Sequence, residues 1–495
     1  MAHMDLDDVA HTMPLRYWLH TYPSKPRVFI LSDILNEPDD SESLVRLLLY
    51  TDQLDIRGLV ATTSTWLRNA THPEEMHKIV SAYGKVQAKL NKHVHPDYPF
   101  PPVEDLLDKI SSGPAVYGWP ALSEPLSPGA ELLIQRLNES TSPLYLSAWG
   151  GVNTLAQALQ HMSNTLSPEE SAALRKRLRV YTISDQDNTA DWIRGTYPDI
   201  RYTASIHAMN MYTTGTWTGI SFDYGTAVDF SIVSNPWLAE NIQLGELGAM
   251  YPELAFLMEG DTPSFLYLLQ NGLGDREHMD WGSWGGRYGL VNLDVDNQHY
   301  VDTIDRVIGA DGKLYNTPSA SIWRWRTAFQ NDFASRMQWT LHDDFSAASH
   351  PPVVYINGSS GPDTRIFDEV TPNSTFVLDA SETFDPDHPG DTSYLDFEWY
   401  QYWDPSATST SDIPVYGSGG LLIEGLSGVN GSATTMPFND SGFQNVTAGA
   451  TVVRVTVTSP PSEFQSLLHL VLAVTSCVAK YPVTRYRRVV FNLVK

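Results

Sequence analysis

The sequence predicts an α/β domain built on a mainly parallel sheet with flanking helices, followed by a smaller all-β sandwich. Three observations predict it. From about residue 25 to 345, short apolar runs alternate with amphipathic helical stretches, the rhythm of β-α-β units whose sheet is covered on both faces. Beyond residue 350 the helical signals stop, and β-rich runs are separated by Gly, Ser, Asn and Pro clusters, as in a sandwich. The chain of 495 residues also exceeds one ordinary core. The reading divides it into 1–24, a vector-like start (Met1-Ala2-His3-Met4) with an N-terminal extension, 25–348, the α/β domain, and 349–495, the sandwich.

Taken in order, Arg27 to Leu31 is apolar enough for a strand buried on both faces. Ser43 to Tyr50 reads as a helix with Leu44, Leu47 and Leu48 on one side. Asp55 to Thr62 is the next strand and Pro73 to Leu90 a long amphipathic helix. Pro143 to Ala148 is a strand and Asn153 to His161 a helix. Ser167-Pro168-Glu169-Glu170 sets a capping residue before a proline at the first helical position. Leu178 to Ser184 is another strand, and Ser264 to Leu269 a later apolar helix. The sandwich strands are read at 375–378, 397–400, 451–458, 468–475 and 487–494.

Hydrophobic residues make up 42%, enough for a sizeable core. The net charge of −26 repels phosphate backbones and anionic lipid, which sets nucleic-acid polymers and membrane surfaces aside. No apolar run reaches the roughly 20 residues a spanning helix needs. The single cysteine, Cys477, lies in an apolar stretch and is expected to be a buried, inert thiol. Asn-x-Ser/Thr sequons at Asn69, Asn138, Asn357, Asn373, Asn430, Asn439 and Asn445 point to export, with a signal peptide expected to precede the native chain. The protein is therefore expected to be secreted and glycosylated.

In an open parallel sheet, ligands bind beyond the carboxyl ends of the strands. The segment after the first strand is Ser32-Asp33-Ile34-Leu35-Asn36-Glu37-Pro38-Asp39-Asp40. Its four carboxylates would repel one another in a shared cleft, and a bound cation is one way to hold them together. The other reading is an acidic helix cap, because Asp39 or Asp40 at a helix start is favourable by itself. Other strand ends add Thr62-Thr63-Ser64, the Gly-rich turn Trp149 to Thr154, Ser184-Asp185-Gln186-Asp187-Asn188, and Glu259-Gly260-Asp261-Thr262-Pro263 ahead of an apolar helix.

Together these segments resemble the nucleoside hydrolase family, in a branch described as cellulose-binding proteins. The resemblance rests on Asp33 with Asn36 to Asp40 and Ser43 to Tyr50, on Gly58 to Ser64, on Gly150 to Ala156, on Glu259 to Leu266 and Trp281 to Tyr288, and on Leu468 to Val489 for the C-terminal module. It implies a calcium ion at the sheet's C-terminal edge, held by Asp33, Asp40, the carbonyl of Asn153, and Asp261. It implies Asp33 as general base, with Glu37 as the other catalytic candidate. Asn36, Asp39 and Asp185 are implied as hydroxyl-gripping residues. The family's second loop aspartate is replaced by Leu35, which implies either a rebuilt loop or impaired catalysis. Classical relatives form dimers or tetramers, so a homodimer is a possible assembly.

Trp281, Trp284 and Tyr288, set among glycines, could stack on a sugar or pack a tight loop, and Arg287 could pair with a site carboxylate. Trp323, Trp325 and Trp339 read as interior packing. Leu378 to Ser381, Phe384 to Asp387 and Phe397 to Trp399 resemble a PKD or immunoglobulin-like module, whose acidic loop reads as a polar turn before a calcium site. The expected function is a calcium-dependent glycoside hydrolase that cleaves a furanosyl bond of a glycan or glycoside. The alternatives are a nucleoside N-ribohydrolase and a non-catalytic carbohydrate-binding protein on the same fold.

Overall fold

A computed structural model describes residues 15–206, 211–291, 297–406, 420–428, 446–458, 466–477 and 480–494. The sequons at Asn430, Asn439 and Asn445, and Met1 to Met4, lie outside the described residues.

Among the described residues the main sheet has eight strands. They are β1 (Arg27–Ser32), β2 (Asp55–Ala61), β3 (Ile110–Ser112), β4 (Leu144–Ala148), β5 (Leu178–Thr182), β6 (Arg201–Ala204), β7 (Tyr288–Leu290) and β8 (His299–Asp302). Their order is β3-β2-β1-β4-β5-β6-β8-β7. All neighbours are parallel except β7, which runs antiparallel to β8. The chain builds outward from β1 to β3, then returns to β4 and builds the other way. That reversal lies between β1 and β4, the place where open α/β sheets form a crevice.

Strand β1 shows why the apolar run is legible as a strand. Val28 and Ile30 belong to one core and Phe29 and Leu31 to the other, so successive residues serve opposite faces. The helix after β1 spans Asp39–Leu48, starting earlier than Ser43. Asp39, Asp40 and Glu42 fill its first turn, where acids suit the exposed N–H groups. The helix Pro168–Arg175 opens on a complete capping box between Ser167 and Glu170.

The C-terminal part forms two facing sheets. One holds 365–370, 484–493, 467–476, 395–402 and 446–448, and the other holds 375–379, 450–457 and 421–428. Their core includes Trp399, Leu470, Val455 and Phe491. The sandwich is docked firmly onto the α/β domain. Tyr400, Tyr402, Val471 and Tyr486 join the same apolar cluster as the first domain's helix residues Phe329 and Phe333. The backbone N–H of Tyr486 donates to the Asn271 carbonyl (2.8 Å), and that of Arg488 to Gly272 (3.1 Å). Trp323, Trp325 and Trp339 are interior residues, at 3%, 7% and 2% exposure. Cys477 corrects an expectation: it is exposed. The apolar strand ends at Ser476, and Cys477 leaves the sheet with its thiol turned to the Tyr394 carbonyl.

Candidate metal centre

The loop after β1, the turn after β4 and the segment before Pro263 converge at the reversal point. Asp33, Asn36, Glu37, Asp39, Asp40 and Asp261 line one cleft there, with Trp66, Trp149 and Trp217 among its other walls. Oxygens of Asp39, Asp40 and Asp261 lie within 4.8 Å of one another. No Lys, Arg or His is among the described residues lining the cleft.

Asp261 is far from the first loop in sequence, and a buried network brings it there. Arg46, on the helix after β1, pairs with Glu259 (Nε–Oε2, 2.6 Å) with neither side chain exposed. The Glu259 N–H donates to Glu42 (2.8 Å), and Thr262 Oγ1 donates to Glu259 (2.8 Å) and lies 3.0 Å from the Ser43 hydroxyl. Glu259 adopts a left-handed backbone (φ 52°), a conformation disfavoured for a residue with a Cβ. From the other side, Trp149 Nε1 donates to Ser264 Oγ (2.9 Å), which donates to the Asp261 carbonyl (2.6 Å). Asp261 is thus fastened both to the helix after β1 and to the end of β4. Two glycines permit the close approach: a Cβ at Gly150 would meet Asp33 Oδ1 at 2.7 Å, and one at Gly260 would meet Asp39 Oδ2 at 2.9 Å.

Electrostatically the cluster is uncompensated. Burial, then repulsion from Asp33 and Asp39, pushes the Asp40 carboxyl well above the usual carboxylate range. Burial, then Asp40 and Asp39, does the same to Asp261. Burial raises Asp39 to about 7 with help from Glu37 and Asp33, and raises Asp33 to about 6. Asp40 accepts from Ser32 Oγ, but Asp261 Oδ2 is buried with no hydrogen-bond partner. An orphaned buried oxygen beside two further carboxylates suits a hard cation.

The other candidate residues fall as follows. Asn36 is half-buried, and Glu37 is exposed at the rim. Asn153 is fully buried beside the cleft. Its Nδ2 donates to Thr63 Oγ1 and to the Val116 carbonyl (both 2.8 Å), and its N–H donates to Asp187 (2.8 Å). Its side chain is therefore committed. Leu35 points into solvent, half-exposed at 50%, on a left-handed backbone (φ 75°).

Four expectations are corrected by placement. Asp185 does not line the cleft, because it forms a bidentate pair with Arg194 (2.7 and 2.6 Å). Trp281 stacks on His278 (4.0 Å between rings) and meets His469 of the sandwich edge-on. Trp284 is buried against Tyr486 and Phe329. Arg287 pairs with Asp305 (2.6 Å) rather than with a cleft carboxylate. The last three build the domain junction. The acidic loop of the sandwich is a polar turn: Asp385 accepts from the Asp387 N–H (2.9 Å) and pairs with His388. Sequence reasoning missed Trp66, 56% exposed at the cleft mouth; its only signal is a large apolar residue in a polar loop at a strand end.

Residues 27–288 match the family described as cellulose-binding Sde182, nucleoside hydrolase-like domain, and residues 375–493 match cellulose-binding protein Sde0182, C-terminal domain. Among solved structures, a nucleoside hydrolase-related hypothetical protein from Saccharophagus degradans, associated with carbohydrate metabolism, is 27% identical. That match covers 95% of this chain and 100% of the other, with a TM-score of 0.73. The effector protein XOO4466 and the type III effector protein XopQ, the latter complexed with adenosine diphosphate ribose, are each 12% identical. They cover 68% of this chain and 99% of their own, at TM-scores of 0.29 and 0.25, too low to bear on the site. No curated protein matches the chain. With more than half its length matched, and the parallel sheet and antiparallel C-terminal sheets to go with it, the chain belongs to the cellulose-binding family with a nucleoside hydrolase-like domain.

Proposed function

We propose that the protein is a calcium-dependent glycoside hydrolase that acts outside the cell on a furanosyl bond of a glycan or glycoside. The observation that carries this reading is the meeting of Asp39, Asp40 and Asp261 within 4.8 Å, with Asp261 Oδ2 unpartnered. These three would hold the ion. Because the Asn153 side chain is engaged, a contribution from that turn would come through a backbone carbonyl. Bound there, calcium would supply a Lewis acid that orients sugar hydroxyls and lowers the pKa of a water.

The protein's own groups do the rest. Asp33, buried beside the triad, would take the proton of an attacking water. The carboxylate-rich wall favours positive charge developing at an oxocarbenium-like sugar carbon. The enclosed part of the cleft measures about 60 Å³, room for an ion and a few waters. The sugar would therefore sit higher, at the mouth, where Trp66 offers a stacking face and Asn36 and Glu37 offer hydrogen-bonding groups. Export accords with the exposure of Asn69, Asn138, Asn357 and Asn373.

One observation favours a second reading. Leu35 stands, turned outward, where the resemblance expects an acid, so the cleft could grip a glycan without turning it over. A panel of furanosyl glycosides and nucleosides separates the two. Product is expected with calcium present and from wild type only. Product that persists after complete calcium removal, or in Asp40→Ala, rejects the mechanism. Tight binding of a furanosyl glycan that is lost in Asp40→Ala, with no product after long incubation, selects the second reading.

A further inference from the structure

A second cavity, of about 590 Å³, has walls from three parts of the chain: Tyr17 and Trp18 of the N-terminal segment, Arg276 of the α/β domain, and Tyr355, Asp363 and Phe384 of the sandwich. It lies at the opposite edge of the sheet from the acidic cleft. Ser24, on its wall, leads into β1. Gln270, also on its wall, donates to Gln53 Oε1 (2.8 Å), and Gln53 leads into β2. Both therefore mark the N-terminal ends of strands whose C-terminal ends carry the cleft. A six-residue strand such as β1 spans about 20 Å, so one ligand unit cannot occupy both places.

The lining has a distinct chemistry. Trp18 meets Phe384 edge-on at 5.6 Å, Tyr355 lies 6.4 Å from Phe384, and Tyr17 is 41% exposed. Beside these rings stand one cation, Arg276, and one anion, Asp363. Opposite charges in one cavity favour neither an anionic nor a cationic ligand, and the chain's net charge of −26 weighs further against anions. Rings for stacking, with hydrogen-bonding groups of both kinds, suit a neutral polyhydroxylated chain whose C–H faces lie on aromatics.

The sandwich wall is held in place before any ligand arrives. Arg487 donates to the Gly361 carbonyl and to Ser359 Oγ, and Gly361 takes a left-handed backbone (φ 110°) that glycine alone adopts cheaply. The Tyr355 N–H donates to Thr383 Oγ1 (3.0 Å). A preformed wall spares a ligand the cost of ordering it. The outer face of the sandwich's three-stranded sheet makes the contrast. It presents Val377, Leu422, Glu424 and Arg454, with no aromatic ring among the described exposed residues.

We infer that this cavity is a glycan-anchoring site, which holds a short segment of a neutral glycan chain at the domain junction, remote from the cleft that would perform turnover. The inference rests on the carbohydrate reading above but not on hydrolysis.

The test is equilibrium binding of cellotetraose, and depletion of the protein by microcrystalline cellulose, with the full chain. Wild type should bind, and Trp18→Ala and Ser360→Trp should each weaken binding at least tenfold with the unfolding midpoint unchanged. Ser360→Trp fills the cavity from an exposed hairpin position, so it stands even if Trp18→Ala folds poorly. Asp40→Ala should bind as wild type does. Absence of cellotetraose binding by wild type overturns the inference, as does binding that survives both cavity variants. Binding lost in Asp40→Ala alone would place the glucan in the cleft and overturn it too. Turnover of furanosyl substrates judges the hydrolase reading separately.

Discussion

At the domain junction, Asp305 and Asp332 are as deeply buried as Asp40 and Asp261 in the cleft, none more than 3% exposed. Burial alone would raise all four carboxyls. At the junction it is outweighed. Arg287 and Arg324 surround Asp305, which also accepts from Tyr402 (2.6 Å), and its carboxyl stays below the usual range. Arg485 (2.7 Å) and Arg336 (3.2 Å) do the same for Asp332, with Tyr50 donating at 2.7 Å. In the cleft, burial is reinforced by neighbouring acids, and Asp40 and Asp261 are pushed far up. The same residue type at the same depth is thus structural where the protein supplies cations. Where it supplies none, neutralisation is left to something from solvent.

The sharpest way to break this contrast is to neutralise one acid in each place. In the cleft, Asp40→Asn should lower turnover at least 10³-fold, about 4 kcal/mol of lost transition-state stabilisation. Steady-state rates on the best furanosyl substrate read this, and a loss under tenfold would count Asp40 out as an essential ligand. At the junction, Arg485→Met leaves Asp332 buried with one cation fewer and should cost about 3 kcal/mol in stability. Denaturant unfolding measures it, and an unchanged midpoint would mean that the pairing is incidental.

The next effect is smaller and has opposite signs in the two conditions. Calcium at a hundredfold excess over its Kd should stabilise the protein by about 2.7 kcal/mol, and Asp261→Asn should abolish that gain. In chelator at pH 8 the same variant should be about 1 kcal/mol more stable than wild type, because one repelling charge is gone. Thermal melts with and without chelator decide it. Destabilisation by Asp261→Asn in chelator would show that the cluster is internally satisfied.

The contrast also explains what was legible in the sequence. Strand β1 could be read because a strand buried on both faces is a continuous apolar run, and the acidic loop because its carboxylates crowd a few positions. Short strands such as β3, β6 and β7 carry too few residues to announce themselves. Asp185 and Arg287 read as site residues, and Trp281 and Trp284 read equally as stacking or packing residues, for one reason: paired or packed residues have the composition of binding residues, and only the partner tells them apart. Arg194 claims Asp185, and the sandwich claims Trp281 and Trp284. The fastening of Asp261 by Arg46 and Glu259 joins positions more than 200 residues apart, which no local pattern encodes. The helix start at Asp39 was hidden because Pro38 caps it without a side-chain hydrogen bond.

A third buried junction group meets burial in yet another way, by giving up its proton. His93, 1% exposed, contacts His350 (3.0 Å) through Nδ1 and the His342 carbonyl (3.0 Å) through Nε2. The carbonyl can only accept, so Nε2 carries a proton and donates to it, and burial disfavours a second proton on His93. Burial, then His350, lowers its pKa from 6.5 to about 4, against a weak pull from Asp387. The unfolded chain therefore takes up a proton before the folded one does. The His93 contribution to stability is whole above pH 7 and declines as pH falls through 6.5 toward 4, by about 1 kcal/mol at pH 5.5, while the cleft acids, whose pKa values are raised, change stability in the opposite sense over that range unless calcium holds them ionised. His93→Gln should flatten that decline while leaving calcium stabilisation intact, since the junction and the cleft are neutralised by separate means. Measured with calcium saturating, a stability difference between wild type and His93→Gln that stays constant from pH 7 to 5.5 would place the acid sensitivity elsewhere.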